Sequence, residues 1–486
     1  MEKPFSSRIV SPFPRRDFLC RAWNGIGAMA LADLLAGDTA AAVTEINPLA
    51  SKRPHFPRKA KHCIFLFMAG GASQLDTFDY KPALQKYAGL QLPKVPGLSG
   101  EIEGFLSSPH RAIPSPFEFK RFGQSGRWIS SLLPKLGEWA DEMALVCGVK
   151  VDNNNHGPAT MHVNTGSQFQ GSPSVGCWVT YGLGSSNQNL PGYVVIQDPR
   201  GAPVNGAAVW GNGYLPAAYQ GTLFRSQGSP ILDLAPPGNL TRQQQRREFD
   251  LLKALNERHL GERSGDSELE ARISAYELAF RMQAEAPQIV DLSKESAATQ
   301  RLYGLDNPVT AGFGRQCLLA RRLVESGVRH VLLIHGVEIG RYSWDDHGNI
   351  KERIPQHLAE VDQPVAGLLA DLKRRGLLQE TLVVWASEMG RTPFINELKS
   401  DKPGRDHNQY GLVVWMAGGD VKGGATAGAT DEFGIKALGD PIPLRDVHAT
   451  ILSLLGLGDQ QLTYLHAGRF RKLTDIGGRV LTEIVA

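Results

Sequence analysis

Acids and histidines gather in four short polar stretches, each of which follows an apolar run. "GGASQLDTFD" carries Asp76 and Asp79, and "YSWDDHGN" carries Asp345, Asp346 and His347. "WASEMGRTP" carries Glu388 and Arg391, and "GRDHNQYG" carries Arg405, Asp406 and His407. Carboxylates mixed with imidazoles suit a divalent zinc or manganese ion, while an all-carboxylate subset would suit calcium or magnesium. A fifth stretch, "NNNHGPATMHVNTG" at 153–166, has the layout of a turn that leads into a helix and presents His156 at its start. Asn, Gly and Pro build such turns. A hydrolase of this layout would present Ser, Thr or Cys. His156 is therefore open to four readings: metal ligand, general base toward water, direct nucleophile, or a hydrogen-bonded histidine in an inactive site.

Each of these residues also has a plainer use. Asp79 would cap a helix starting near Lys81-Pro82. Neighbouring side chains seldom both face one ion, so one of Asp345 and Asp346 reads as a turn residue. His335 reads as a satisfied core histidine at a strand end, and His162 as packing on the helix after the turn. Asp446 and His448 in "LRDVHATILSLLGL" fall at a helix start. Arg391 and Arg405 are read either as forks for an anionic ester or as ion-pair partners.

The elements that must position these groups alternate. "HCIFLFMAGG" (62–71), "MALVCGV" (143–149), "GYVVIQD" (192–198), "VRHVLLIHG" (328–336), "TLVVWASEMG" (381–390) and "GLVVWMAGG" (411–419) read as buried strands that end in loops. Between residues 355 and 375, Leu358, Val361, Val365, Leu368, Leu369 and Leu372 recur at helical spacing. Alternation of this kind predicts an α/β fold, a mostly parallel central sheet flanked by helices. In such sheets the chemistry collects beyond the carboxyl ends of the strands. Residues 241–286 are charged and differ from the rest. Thr241 with Gln244 and Ser267 with Glu270 form two capping-box patterns, which predict a helical insertion.

The 486 residues carry a net charge of only +3, with both signs dispersed, so no basic surface for nucleic acid is expected. No apolar run is long enough for stable membrane insertion. At the N-terminus, Arg15-Arg16 precede Phe18-Leu19, a Gly/Ala-rich segment and Ala40-Ala41-Ala42. That order looks like a twin-arginine export signal over residues 1–42, with the export machinery as partner and a periplasmic or secreted destination. Residues 43–486 form the remaining domain. Cys63, Cys147, Cys177 and Cys317 are widely spaced, as buried apolar cysteines would be, and disulfides stay open in an oxidising compartment.

The order of strand-loop Asp, nucleophile turn, Asp/His loop, acid loop and His loop is similar to the alkaline phosphatase and arylsulfatase superfamily. More narrowly, "FLFMAGGASQLDTFDYKP", "NTGSQFQGSPSVGCWVTYGLGS", "WASEMGRTP", "GRDHNQYG" and "HATILSLLGL" resemble the exported sulfatase-like proteins of the domain-of-unknown-function family 1501. The resemblance implies an alkaline phosphatase-like fold and metal-dependent hydrolysis of an anionic ester, sulfate or phosphate, possibly on a glycan. It also implies two divalent ions about 4 Å apart. By position it assigns Asp345, His347 and His407 to one ion, and Asp76 and Glu388 to the other, with Arg391 or Arg405 on the ester. Two departures stand out. Met389 follows Glu388 where the superfamily has an imidazole, and His156 and Thr160 replace the Cys and Arg of the sulfatase signature. No formylglycine can form from histidine. His156 as the second ion's missing imidazole accounts for both departures; the remaining readings are a catalytically inactive binding protein and a phosphatase or phosphodiesterase.

Overall fold

A central parallel strand is covered by helices on both faces, so its apolar residues need not alternate with polar ones. "HCIFLFM" meets that condition. In a computed structural model of the protein, which describes residues 47–93, 111–226, 230–231, 240–262, 267–395 and 402–486, it is β1 (His62–Met68), buried at every position. Cys63, Phe65 and Phe67 enter one apolar layer, and Ile64, Leu66 and Met68 the other. This is the two-residue period of a strand with a core on each side.

The chain continues through β2 (Met143–Lys150), α1 (His156–Thr165), α2 (Val175–Leu183), β3 (Tyr193–Ile196) and β4 (Thr222–Phe224). Next come α3 (Arg242–Glu262), α4 (Ser267–Val290), α5 (Ala311–Glu325), β5 (His330–His335) and α6 (Ile350–Arg374). Then follow β6 (Thr381–Ser387), β7 (Gly390–Ile395), β8 (Arg405–Asn408), β9 (Leu412–Ala417), β10 (Thr426–Ala427), β11 (Ile442–Pro443) and α7 (Leu444–Leu454). The main sheet has nine strands among the described residues, in the order β10-β2-β9-β6-β1-β5-β3-β4, with β11 also on β2. β9 pairs antiparallel with β2 and β6, and the other pairings are parallel. Helices α1, α2 and α7 pack on one face through Met161, Trp178 and Ile451, and α4, α5 and α6 on the other through Met282, Leu318 and Leu368. The predicted mostly parallel α/β sheet is the observed one.

Because β1, β2, β5 and β6 share a direction, their carboxyl ends lie along one edge of the sheet, and the segments that follow them meet there. Two expected loops are instead a ribbon. β7 and β8 pair antiparallel, with His407 opposite Arg391 and an irregularity at Asp406. The buried Gln74 side chain extends that pairing, accepting from Arg391 N and donating to Arg391 O at 2.7 and 2.8 Å.

The region 241–286 holds two helices. Gln244 N donates to Thr241 Oγ1 and Thr241 N to Gln244 Oε1, so the first capping box forms. The second falls on side chains outside the described residues, as does the expected export signal at 1–42. The end of α4 is no detached appendage, since Met282, Ala286 and Ile289 join the core. Cys63, Cys147, Cys177 and Cys317 are free and buried. Among the described residues, no helix is long and apolar enough to cross a membrane.

Candidate metal centre

The turn after β2 ends in Asn155, whose side chain makes no capping bond, and α1 begins at His156. His156 thereby stands over the sheet edge. From β5 the chain runs through Gly336 to Asp345 and His347, and the ribbon contributes His407. Four donor atoms, one each from His156, Asp345, His347 and His407, lie within 4.8 Å of one another. Asp345 Oδ1 is the hub: His347 Nε2 is 2.9 Å away, and His156 Nε2 and His407 Nε2 are each 3.2 Å away. His347 Nε2 and His407 Nε2 face each other at 2.9 Å.

Three imidazole nitrogens crowding one carboxylate oxygen is a poor hydrogen-bonding arrangement, and His156 Nε2 is buried without an aligned partner. It is a good coordination arrangement. Zinc ligands at about 2.0–2.1 Å on a tetrahedron stand about 3.3 Å from each other, close to the 2.9–3.2 Å of the three contacts to Asp345 and the one between His347 and His407. The residues fit a divalent ion of borderline softness.

The far side of His156 is held by Glu388, whose Oε1 is 2.9 Å from Nδ1. A carboxylate there fixes the proton on Nδ1 and turns the Nε2 lone pair toward the cluster. Glu388 is itself anchored by Gly70 N, at 2.8 and 3.0 Å, and by the Ser387 hydroxyl at 3.1 Å. Burial works against a charge on His156, but the adjacent carboxylates of Asp345 and Glu388 overcome it and carry the imidazole pKa up to about 9. Burial likewise opposes ionisation of Asp345, yet its histidine partners and Arg391 hold that carboxyl far below its ordinary range. His407 is lowered, chiefly by burial, with Asp345 acting in the other direction.

The other expected site residues are placed differently. Asp76 is fully buried, and Arg405 grips it with Nε at 2.7 Å from Oδ2 and Nη2 at 3.1 Å from Oδ1, while Ser73 donates to Oδ2. Assigned from sequence to a metal and to an anionic ester, the two instead bind each other. Arg391 is also fully buried. It donates to the carbonyls of Gly70, Gly71, Trp344 and Arg405 and to Asp345 Oδ1 at 2.7 Å, tying the loops after β1 and β5 together. Neither guanidinium opens to solvent. Glu388 reaches the cluster only through His156 and is not among its four donors.

Of the plainer readings, Asp79 does not cap a helix. It pairs with Lys81 at 2.8 Å and accepts from Thr430 at 2.6 Å. His448 bonds the Val163 carbonyl, and His162 is buried beside Asp152. His335 is satisfied and buried as expected, but it also supports the site. Trp344 Nε1 donates to His335 Nδ1 at 3.0 Å, so Nε2 carries the proton and donates to Glu360 at 2.9 Å. Arg200 bonds Glu360 and Asp198, and Asp198 accepts from Gly336 N. This hydrogen-bonded chain pins both ends of the segment that delivers Asp345. Asp406, named in its loop but given no role, has its Oδ1 3.7 Å from His347 Nδ1. Its position beside His407 was the one available signal.

No curated protein matches the chain in sequence. Among solved structures, alkaline phosphatase from the Antarctic bacterium TAB5 is similar at a TM-score of 0.33 and 9% identity, covering 82% of this chain and 99% of that one. A sulfatase from Pseudoalteromonas sp. is similar at 0.31 and 12%, covering 82% and 68%. The phosphonate monoester hydrolase of Silicibacter pomeroyi is similar at 0.33 and 13%, covering 72% and 71%. The sequence profile described as "Protein of unknown function (DUF1501)" matches residues 60–485, nearly the whole folded unit, and the chain belongs to that family.

Proposed function

We propose that the chain is a metal-dependent hydrolase of anionic esters, built on one divalent ion held by His156, Asp345, His347 and His407. The observation that carries this reading is the convergence of three imidazole nitrogens on one carboxylate oxygen at 2.9–3.2 Å. Three nitrogens and one oxygen favour zinc, with manganese second, and do not suit calcium, which takes six to eight oxygens. A divalent ion in that shell supplies Lewis-acid character and eases deprotonation of water. His156 is read as a ligand, since Glu388 holds Nδ1 and Nε2 faces the other donors. With Asp76 engaged by Arg405, one ion rather than two is proposed. The ester class follows from the resemblance of the motif order to sulfatases and alkaline phosphatases.

A second reading has its own support. Arg391 and Arg405 are buried and engaged, so neither grips an anion as drawn. That favours a binding protein in which the metal is structural. Elemental analysis of the purified chain, followed by a panel of aryl phosphate, phosphodiester, phosphonate and sulfate esters, separates the two. Close to one equivalent of zinc with turnover of one ester class is the expected result. Metal without turnover of any ester leaves the binding protein, and no metal with chelator-insensitive melting removes both. His156→Ala should lower the zinc content; unchanged content with lost turnover would instead make His156 a base or nucleophile.

We infer further that residues 1–42 direct twin-arginine export to the periplasm or beyond. Replacing Arg15 and Arg16 together by Lys should leave the chain in the cytoplasmic fraction. Unchanged export would remove this assignment.

A further inference from the structure

A helix that covers a core on one side and meets water on the other carries its apolar residues in one stripe. Helix α3 carries two. Its inner stripe faces α4: the Phe249 and Phe280 rings meet edge to face with centres 5.4 Å apart, and Arg246 bonds Glu277 at 2.9 Å. Leu252 and Asn256 stand with Ile273 and Tyr276 around one small cavity on that side. At about 3.6 residues per turn, the opposite side of the helix holds Arg247, Glu248, Leu251, Leu255 and Arg258, and all five are exposed. Leu251 is 64% exposed, and Leu255, one turn on, is 56% exposed.

The charges of α3 are of two kinds. Arg246 pairs with Asp250 and Lys253 with Glu257, each four residues apart within the helix. Glu248 and Arg258, which flank the two leucines, have no ion-pair partner among the described residues. Their placement is symmetric along the helix. Leu251 and Leu255 lie two positions either side of Lys253, and Glu248 and Arg258 lie five.

We propose that the outer face of α3 docks on α3 of a second copy of this chain, antiparallel, about a two-fold axis at the level of Lys253. Such an axis places residue against residue in the reverse order along the helix. Leu251 of one copy then meets Leu255 of the other, and Glu248 meets Arg258, so both exposed leucines are covered and both open charges are paired. A parallel pair would set Glu248 against Glu248 and Arg258 against Arg258. An anionic lipid surface would suit Arg247 and Arg258 but hold Glu248 against like charge. The stripe from Arg247 to Arg258 is about 16 Å long. A contact confined to it buries less than the roughly 800 Å² per partner of a standard interface, so the dimer is a weak one.

Sedimentation velocity of the purified full chain tests it. A reversible monomer–dimer equilibrium at micromolar concentrations is expected. Leu251→Ser/Leu255→Ser should weaken it at least about tenfold, and because both side chains are exposed the melting temperature should stay that of the parent. Glu248→Arg and Arg258→Glu, each alone, should weaken association about tenfold by setting like charges at both ends of the contact. Mixed in equal amounts, those two variants should associate about as tightly as the parent, since each then meets an opposite charge at both ends. The proposal is overturned if the parent stays monomeric, if the leucine variant dimerises as tightly as the parent, or if the mixture associates no better than its components. A monomer that floats with phosphatidylglycerol vesicles, and loses this in the leucine variant, assigns the stripe to a lipid surface and overturns the dimer. Neither zinc nor turnover enters the readout, so the outcome leaves the hydrolase reading untouched.

Discussion

Glu388 is 1% exposed and remains ionised because His156, Gly70 N and Ser387 surround its carboxylate with donors. Its pKa is lowered although burial, the largest influence, pushes the other way; the hydrogen bond from His156 leads the opposing influences. Glu388→Gln keeps the shape but removes the charge that steadies the Nδ1 proton. Zinc affinity should fall about 10- to 100-fold, read by competition with a chromogenic chelator, while the fold stays intact by circular dichroism. An unchanged affinity would show that His156 is not oriented through Glu388. Asp76 and Arg405 make the contrasting case. Both are fully buried, and Arg405→Ala would leave an unpaired buried carboxylate, so a loss of about 3–5 kcal/mol in urea unfolding is expected. A loss under about 1 kcal/mol would mean that the pair is not buried as described.

At the scale of elements, the segment between β5 and α6 decides whether a site exists. It is pinned at Gly336 by Asp198 and at Trp344 by His335, and it crosses β1's loop at Gly70. A Cβ at Gly70 would stand 2.5 Å from Trp344 N and 2.7 Å from Asp345 N, and its φ of 119° excludes most side chains. Trp344→Phe keeps the ring packed against His357 but removes the donor to His335. We expect about 1 kcal/mol of stability lost and a measurable drop in zinc affinity, because Asp345 is the next residue. Equal zinc affinity in calorimetry would confine the Trp344 bond to stability.

At the scale of the whole molecule, buried core histidines add an acid sensitivity of their own. His62, His330 and His448 are buried, and burial lowers their pKa from 6.5 to about 4, 3 and 4, with partial relief for His62 and His448 from the carbonyls of Val328 and Val163. A folded-state pKa below the unfolded value means that folding excludes a proton. The stabilisation is therefore complete above pH 6.5 and drains away as pH falls toward 4, about 3 kcal/mol or more for each group at full effect. Urea unfolding of the metal-free chain between pH 7 and 4 should show this slope. It should become shallower when His62, His330 and His448 are replaced together by Gln, and a pH-independent midpoint over that range would refute it.

The alternating apolar runs reported the layers, because burial on both faces of a parallel strand leaves a local mark in "HCIFLFM" and "TLVVWAS". The capping pattern at Thr241 was equally local and formed. Residue types marked the strand-end loops that hold His156, Asp345, His347 and His407, but marked Asp76 and Glu388 equally. Partner choice was not legible. Asp76 and Arg405 are 329 positions apart, and Glu388 and His156 are 232 apart. Whether a carboxylate meets a cation, an imidazole or open space depends on which strand ends lie side by side. Hydrophobic period says that a strand is buried and says nothing about its neighbour, so only the sheet order could separate the cluster around Asp345 from the ion pair at Asp76.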